Sequence, residues 1–356
     1  MGAMTETSPT VSQEGEDAVL AIIRETLEPH NSAVAESGLL LGPGDDAAVL
    51  RSVAGGDTVL TTDTMSQDRD FRLSWWKDAD AGAYDIGIKA AAQNLSDLSA
   101  MGAVPRALLV SLTLPAETTV SWVKAFCAGL IRACTADRTP YCAVAGGDLG
   151  SAESISVTIT AVGTLGEDGS ALTRAGAQPG ERLAIAGPLG RAAAGLALLE
   201  RPLSAPATET QRSIWQKHRE VFTACLKAQT RPDPDLGAGP AALEAGATAG
   251  MDISDGLLRD ARRLAQASGV RLIIDEDIIA ADAEALTPVA RMLGQGTAAA
   301  VDWVLNGGED YALLATFPHD VEVPAGFRTI GYVEAGSPEA VTQLRPGRDG
   351  WDSLSD

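Results

Sequence analysis

Six segments of this chain end in the same way: an apolar stretch gives way to small residues and then to Asp or Glu. They are "GPGDD" (Asp45, Asp46), "TTD" (Thr61, Thr62, Asp63), "NLSD" (Asn94, Asp97), "AGGD" (Gly147, Asp148), "MDISD" (Asp252, Asp255) and "NGGED" (Glu309, Asp310). The pattern restricts the fold, because an apolar run closed by small residues and a carboxylate reads as a buried strand or helix ending at the surface. One such Asp does no more than cap backbone N–H groups. A set of six, next to glycines that let a ligand approach the backbone, has the makings of an oxygen-rich site.

Between these turns, helical and extended patterns alternate. Residues 16–27, "EDAVLAIIRETL", put Val19, Ile22, Ile23 and Leu27 on one helical face. "AAVL" and "TVLTTD" read as strands, and "DAGAYDIGIKAAAQNLSDLSAMG" as an Ala-rich helix closed by Gly102. "RALLVSLTLP" is a buried strand stopped by Pro115, followed by the helix "VSWVKAFCAGLIRACTAD". "YCAVAGGD" and "SISVTITAVGTL" are further strands, the second alternating as a strand with one wetter face does. Near residue 171 a second unit opens with turn, strand, Gly-rich turn and helix. Residues 201–240 read as helix and loop, "MDISDGLLRDARRLAQASG" as strand, turn and helix, and "VRLIID" as a strand. "VLNGGEDYALLATF" reads as a strand flanked by Gly-Gly. This interleaving predicts an α+β fold of mixed sheets with flanking helices. The expected division is a disordered tail at 1–15, an N-terminal domain at 16–170 and a C-terminal α/β domain at 171–356.

Charge narrows the function. The chain carries 48 acidic against 27 basic residues, a formal net charge of −21, so a nucleic acid or an anionic membrane finds no basic surface to bind. No apolar run is long enough to span a bilayer, and no signal peptide pattern opens the chain. The four cysteines (Cys127, Cys134, Cys142, Cys225) show no CxxC spacing, and Cys127 and Cys134 read as packing residues of one helix. The cytoplasm is the expected compartment. Three well-separated histidines argue against a zinc-hydrolase site or a His-based triad. Converged carboxylates repel unless neutralised, and the cation suited to carboxylate, water and phosphate oxygens is Mg²⁺. That chemistry points to phosphate, yet there is no GxxxxGK[ST] loop, no GxGxxG and no protein-kinase motif set. Arg174, beside a Gly-rich turn, is suited either to bracing a phosphate or to a surface salt bridge.

"GDDAAVL", "TTDTM", "NLSDLSAMGA", "GGD", "ALTRAGAQPG", "DISDGL" and "GGEDYAL", in this order and at these intervals, resemble the thiamine-monophosphate kinase family, within the superfamily of aminoimidazole ribonucleotide synthetase. The likeness runs from about Gly42 to the tail. It implies a two-domain fold of that superfamily and a homodimer paired through the N-terminal domains. It also implies Mg²⁺-assisted transfer of the ATP γ-phosphoryl to thiamine monophosphate. Carried over by motif, Asp46, Thr61, Thr62, Asp63, Asp97, Asp148, Asp252 and Asp255 would hold several Mg²⁺ ions, some through backbone oxygen or water. Gly147, Asp148, Arg174 and Ser254 would touch ATP, with Asp148, Asp255 and Arg174 as the catalytic set. Glu309 and Trp351 would contact the thiamine end. These roles are chemically consistent: a phosphate nucleophile needs no general base, and a Trp can cover a cationic thiazolium.

Two features test the resemblance. Asp70 stands where the family typically has a His in a substrate-contacting loop. An ionised Asp cannot donate to a phosphate oxygen, so the expectation is weaker use of thiamine monophosphate, improved by Asp70→His. The rival members fit less well. Selenophosphate synthetases carry a reactive Cys or selenocysteine near the N-terminus, whereas no cysteine precedes Cys127 here; the hydrogenase-maturation relative ends in a functional cysteine, and this chain ends "SLSD". A non-catalytic or specificity-drifted nucleotide-binding paralogue is the remaining alternative.

Overall fold

The structure is a computed structural model. It describes residues 8–342 and 344, apart from 35–37, 44–46, 53–55, 136–141, 167–168 and 202–207. Two compact units result, one of residues 1–98 and 104–169, the other of 99–103 and 170–356.

The first unit begins with α1 (Val11–Glu14) and α2 (Glu16–Ala33). Residues 11–14 lie within the tail expected to be disordered, and they are helical because Thr10 and Gln13 form a reciprocal capping box. β1 (Leu39–Leu41) and β2 (Val49–Leu50) pair as a small antiparallel ladder. Then come β3 (Thr58–Ser66), α3 (Ala79–Ala100), β4 (Val104–Leu114), α4 (Val120–Cys134), β5 (Ala143–Ser151) and β6 (Ser156–Thr164). The sheet runs β3-β6-β4-β5, with β4–β5 parallel and the other pairs antiparallel. Period-two alternation gives it two unlike faces. Met65, Leu108, Val110, Leu112, Val157 and Ile159 are buried, whereas Leu60 and Leu109 remain 65% and 38% exposed among threonines. Helices α3 and α4 meet at paired glycines: a Cβ on Gly87 would lie 2.3 Å from the Phe126 carbonyl oxygen, and one on Gly129 2.1 Å from that of Tyr84.

The second unit holds β7 (Arg182–Ala186), α5 (Arg191–Leu199), α6 (Glu209–Lys217), α7 (Arg219–Thr230) and α8 (Ala238–Glu244). It continues with β8 (Ala249–Ile253), α9 (Leu257–Ser268), β9 (Arg271–Ile274), α10 (Glu276–Met292) and α11 (Thr297–Asn306). β10 (Ala312–Phe317), β11 (Phe327–Glu334) and β12 (Glu339–Val341) close it. The six-stranded sheet is ordered β12-β9-β11-β7-β10-β8, antiparallel except for β12–β9. Leu183, Ile185, Met251 and Ile253 face Phe222, Leu264, Ile279 and Val304 of the helices, while Ala184, Ala186 and Phe317 face α8. With both faces covered, β8 and β10 are buried at every position. One reading from sequence is corrected: Val304–Asn306 end helix α11, and the strand begins only at Ala312, because Gly307 and Gly308 open a turn between them.

Candidate active site

In the first unit, β3 and α3 bring two of the six acidic segments together. Thr61 and Asp63 alternate onto one face of β3, and α3 presents Asn94 and Asp97 one turn apart. Thr61 Oγ1 donates to Asp97 Oδ2 at 2.6 Å, and the Asp63 backbone N–H donates to Asn94 Oδ1 at 3.0 Å. Asn94 is fully buried and anchored by its own amide to the Ala90 carbonyl. Thr62 points to the opposite face, where its hydroxyl donates to the Ile159 carbonyl. Its side chain is therefore separated from Thr61 and Asp63 by the strand's period of two, although the motif groups all three.

Asp148 is exposed on β5, the other edge of this sheet. The register runs Thr64–Thr158–Ser111–Asp148, which is three strand spacings, about 14 Å. Asp148 thus stands apart from Asp63 and Asp97 within the chain. Gly147 cannot be replaced without moving backbone, since a Cβ there would fall 1.8 Å from the Val110 carbonyl oxygen. Gly146, Gly147 and Asp148 line a cavity of about 950 Å³ whose walls include Leu20, Arg24, Phe126 and Leu130. That volume suits a nucleotide-sized ligand.

In the second unit, two more acidic segments interlock. The Glu309 N–H donates to the Ser254 carbonyl at 2.9 Å and the Tyr311 N–H to the Ile253 carbonyl at 3.0 Å. A Cβ on Gly308 would lie 2.5 Å from the Ser254 carbonyl oxygen, and one on Gly256 2.7 Å from that of Asn306. The glycines of both motifs are what lets the loops cross. Glu309 (φ 64°) and Tyr311 (φ 51°) are left-handed without being glycine, a costly backbone that clusters at functional sites. Asp252 is buried in β8, and Ser254 and Asp255 are half-buried at its end.

Asp255 does not cap α9, whose N-cap Gly256 has no side-chain bond. It pairs with Arg263 Nη1 at 2.6 Å. Asp260, in the first turn of α9, ties the preceding loop back to the helix, accepting the N–H groups of Ser254 and Asp255 at 3.1 and 2.9 Å, and it also holds Arg263 at 2.8 Å. Burial pushes the Asp260 carboxyl up to about 6, against the pull of those hydrogen bonds and of Arg263. No sequence motif marks Asp260 or Arg263, though Asp260 stands four residues past Gly256, within reach of the loop. Asp310 is likewise a bracing group: its carboxylate accepts the N–H groups of Gly190 and Ala192 at the start of α5. Burial raises it to about 7, opposed by those two bonds and by Arg191.

Arg174 lies in an exposed loop pinned by its main chain, with Ser268 Oγ donating to its carbonyl at 2.8 Å. The Asp70 carboxylate turns back into its own loop and accepts the Ser66 N–H at 2.6 Å, while Lys89 Nζ holds the Asp70 carbonyl at 2.9 Å. Asp45, Asp46 and Trp351 lie outside the described residues. Among the described residues, no three His, Cys, Asp or Glu side chains converge as a metal-holding group. Within the first unit, β3 and β5 are opposite edges of one sheet.

Residues 44–165 match the family described as AIR synthase related protein, N-terminal domain. Thiamine-monophosphate kinase of Mycobacterium tuberculosis is 40% identical over 353 residues, covering 98% of this chain and 94% of its own. A thiamine-monophosphate kinase structure from Stenotrophomonas maltophilia K279a aligns with a TM-score of 0.69 at 31% identity, covering 88% of this chain and 95% of that one. AaThiL complexed with AMPPCP and TMP aligns with a TM-score of 0.67 at 28% identity, covering 98% and 99%.

Proposed function

The chain belongs to the thiamine-monophosphate kinase family, and on that premise we propose that it transfers the γ-phosphoryl group of ATP to thiamine monophosphate, giving thiamine diphosphate and ADP. One observation in the molecule carries the reading. Among the described residues, the acidic segments of β3, α3 and β5 and the loops at 254–256 and 307–311 offer carboxylate, hydroxyl and backbone groups, and none of them contains a histidine. An acceptor phosphate is already ionised at neutral pH and needs positioning and charge compensation rather than a general base. The cavity beside Gly147 and Asp148 suits the nucleotide, and Glu309, at the crossing of the two loops, suits the cationic end of the acceptor.

Mg²⁺ fits the donor set in kind, since Thr61, Asp63 and Asp97, and separately Asp252 and Asp255, present oxygen only. Small acid groups of this sort leave positions for water and phosphate, which is how Mg²⁺ is usually held. When bound, it would offset the phosphate charge. Asp255→Asn is expected to lower turnover at least about tenfold at limiting Mg²⁺, recovering in part as Mg²⁺ rises, with little change in melting temperature because a half-exposed ion pair is worth about 0–1 kcal/mol. Unchanged kinetics across a Mg²⁺ titration would remove Asp255 from the site.

A homodimer is supported by the open face of the first unit's sheet. A cytoplasmic location fits four free, buried thiols, and among the described residues no helix is long and apolar enough to cross a membrane. The deciding assay is ADP release with and without thiamine monophosphate. Turnover that depends on that acceptor is expected; ADP release indifferent to it, or none at all, would refute the assignment.

A further inference from the structure

The Glu309 carboxylate is gripped by a side chain to which no motif points. Gln229 lies in the last turn of α7, is 2% exposed, and donates from Nε2 to Glu309 Oε2 at 2.6 Å. That bond fixes which end of the amide is the donor. The other end, Oε1, is then a buried acceptor with no hydrogen-bond partner. Such an orphan is unfavourable, and a leucine at this position would avoid it. The loop that Gln229 holds is itself strained, with two left-handed non-glycine residues in three positions. Asp310, between them, is pinned independently by the start of α5. An unmet amide holding a strained acid is more than packing requires. Because its Oε1 is closed off inside the protein, Gln229 acts through Glu309.

We propose that Gln229 is a positioning residue: it fixes the Glu309 carboxylate toward the cationic ring of the acceptor and thereby sets affinity for that substrate. This rests on the reading of Glu309 given under the proposed function. Gln229→Leu, Glu309→Gln and the double variant are compared for KM toward thiamine monophosphate and ATP, for kcat and for melting temperature. Gln229→Leu is expected to raise KM for thiamine monophosphate about tenfold while KM for ATP stays within about twofold. Its melting temperature is expected to hold or rise, since the orphan acceptor is gone. In the Glu309→Gln background the same substitution should add nothing, because the two residues act as one unit. Gln229→Met, closer in length, answers the same question if the leucine variant does not fold. A melting temperature that falls while both KM values rise together would make Gln229 structural and overturn the proposal. A raised KM in Glu309→Gln with an unchanged one in Gln229→Leu overturns the proposal alone. An unchanged KM in Glu309→Gln overturns the reading of Glu309 and the proposal with it.

Discussion

Asp70, expected from the family resemblance to stand in place of a His, has a role inside its own turn. Its carboxylate closes the turn after β3 by accepting the Ser66 N–H. Replacing it with the family's His removes that bond, at a cost of about 1 kcal/mol. Asp70→His is therefore expected to lower the melting temperature by about 2–4 °C without improving kcat/KM for thiamine monophosphate. A gain in kcat/KM would instead support the drift in specificity expected from sequence. Asp310 gives a pH signature. Its folded value of about 7 stands above the ordinary 3.8, so the folded chain keeps a proton that the unfolded chain releases. Between those two values folding takes up a proton, and this group's contribution to stability declines as pH rises from about 4 to about 7. Asp310→Asn should remove that decline. Urea midpoints of variant and parent at pH 5 and pH 8 check it: the variant should fare relatively better at pH 8, and an equal difference at both would refute the effect.

Elements rather than residues carry the first acid group. Asn94 and Asp97 are placed by α3, and α3 is seated on α4 through Gly87 and Gly129. Gly87→Ala puts a methyl against the Phe126 carbonyl, so α3 must shift; a loss of about 1–3 kcal/mol in stability and a fall in activity are expected together. Denaturant unfolding with parallel assays would show it, and full activity at reduced stability would mean that α3 tolerates displacement. Much of this level was legible in the sequence. α2 and α3 show as an amphipathic and an Ala-rich helix, and β3, β4 and β6 as strands bounded by turn residues. The run from Glu276 to Asn306 is less legible as helices, because Pro288 falls inside it and Gly294 and Gly296 break it; burial on the six-stranded sheet decides the matter there. Within the site, the pairing of the 252–255 and 307–311 loops was hidden, since nothing local in either motif names its partner. That Thr62 faces away from Thr61 and Asp63 follows from strand periodicity alone. The Arg263 grip on Asp255 spans two helical turns and depends on the exact entry of α9.

At the scale of the whole molecule, the proposed homodimer rests on the open sheet face of the first unit. A face with Leu60 at 65% and Leu109 at 38% exposure among threonines suits a second copy better than water. Leu60→Asp is expected to shift the mass in sedimentation from dimer to monomer, and a dimer that survives it would place the interface elsewhere. The crossing of the two loops in the second unit has another consequence, for the order in which the chain becomes competent. Glu309 is held by a partner 80 residues away and Asp310 by one 120 residues away. Contacts of such sequence separation close only after the intervening chain has been arranged, since loop entropy must be met first. Helices form in isolation within microseconds, but the loop pair proposed to hold the acceptor waits for the sheet. In a refolding time course, far-UV ellipticity should therefore return ahead of catalytic activity, and the lag between the two measures how late the clasp is made.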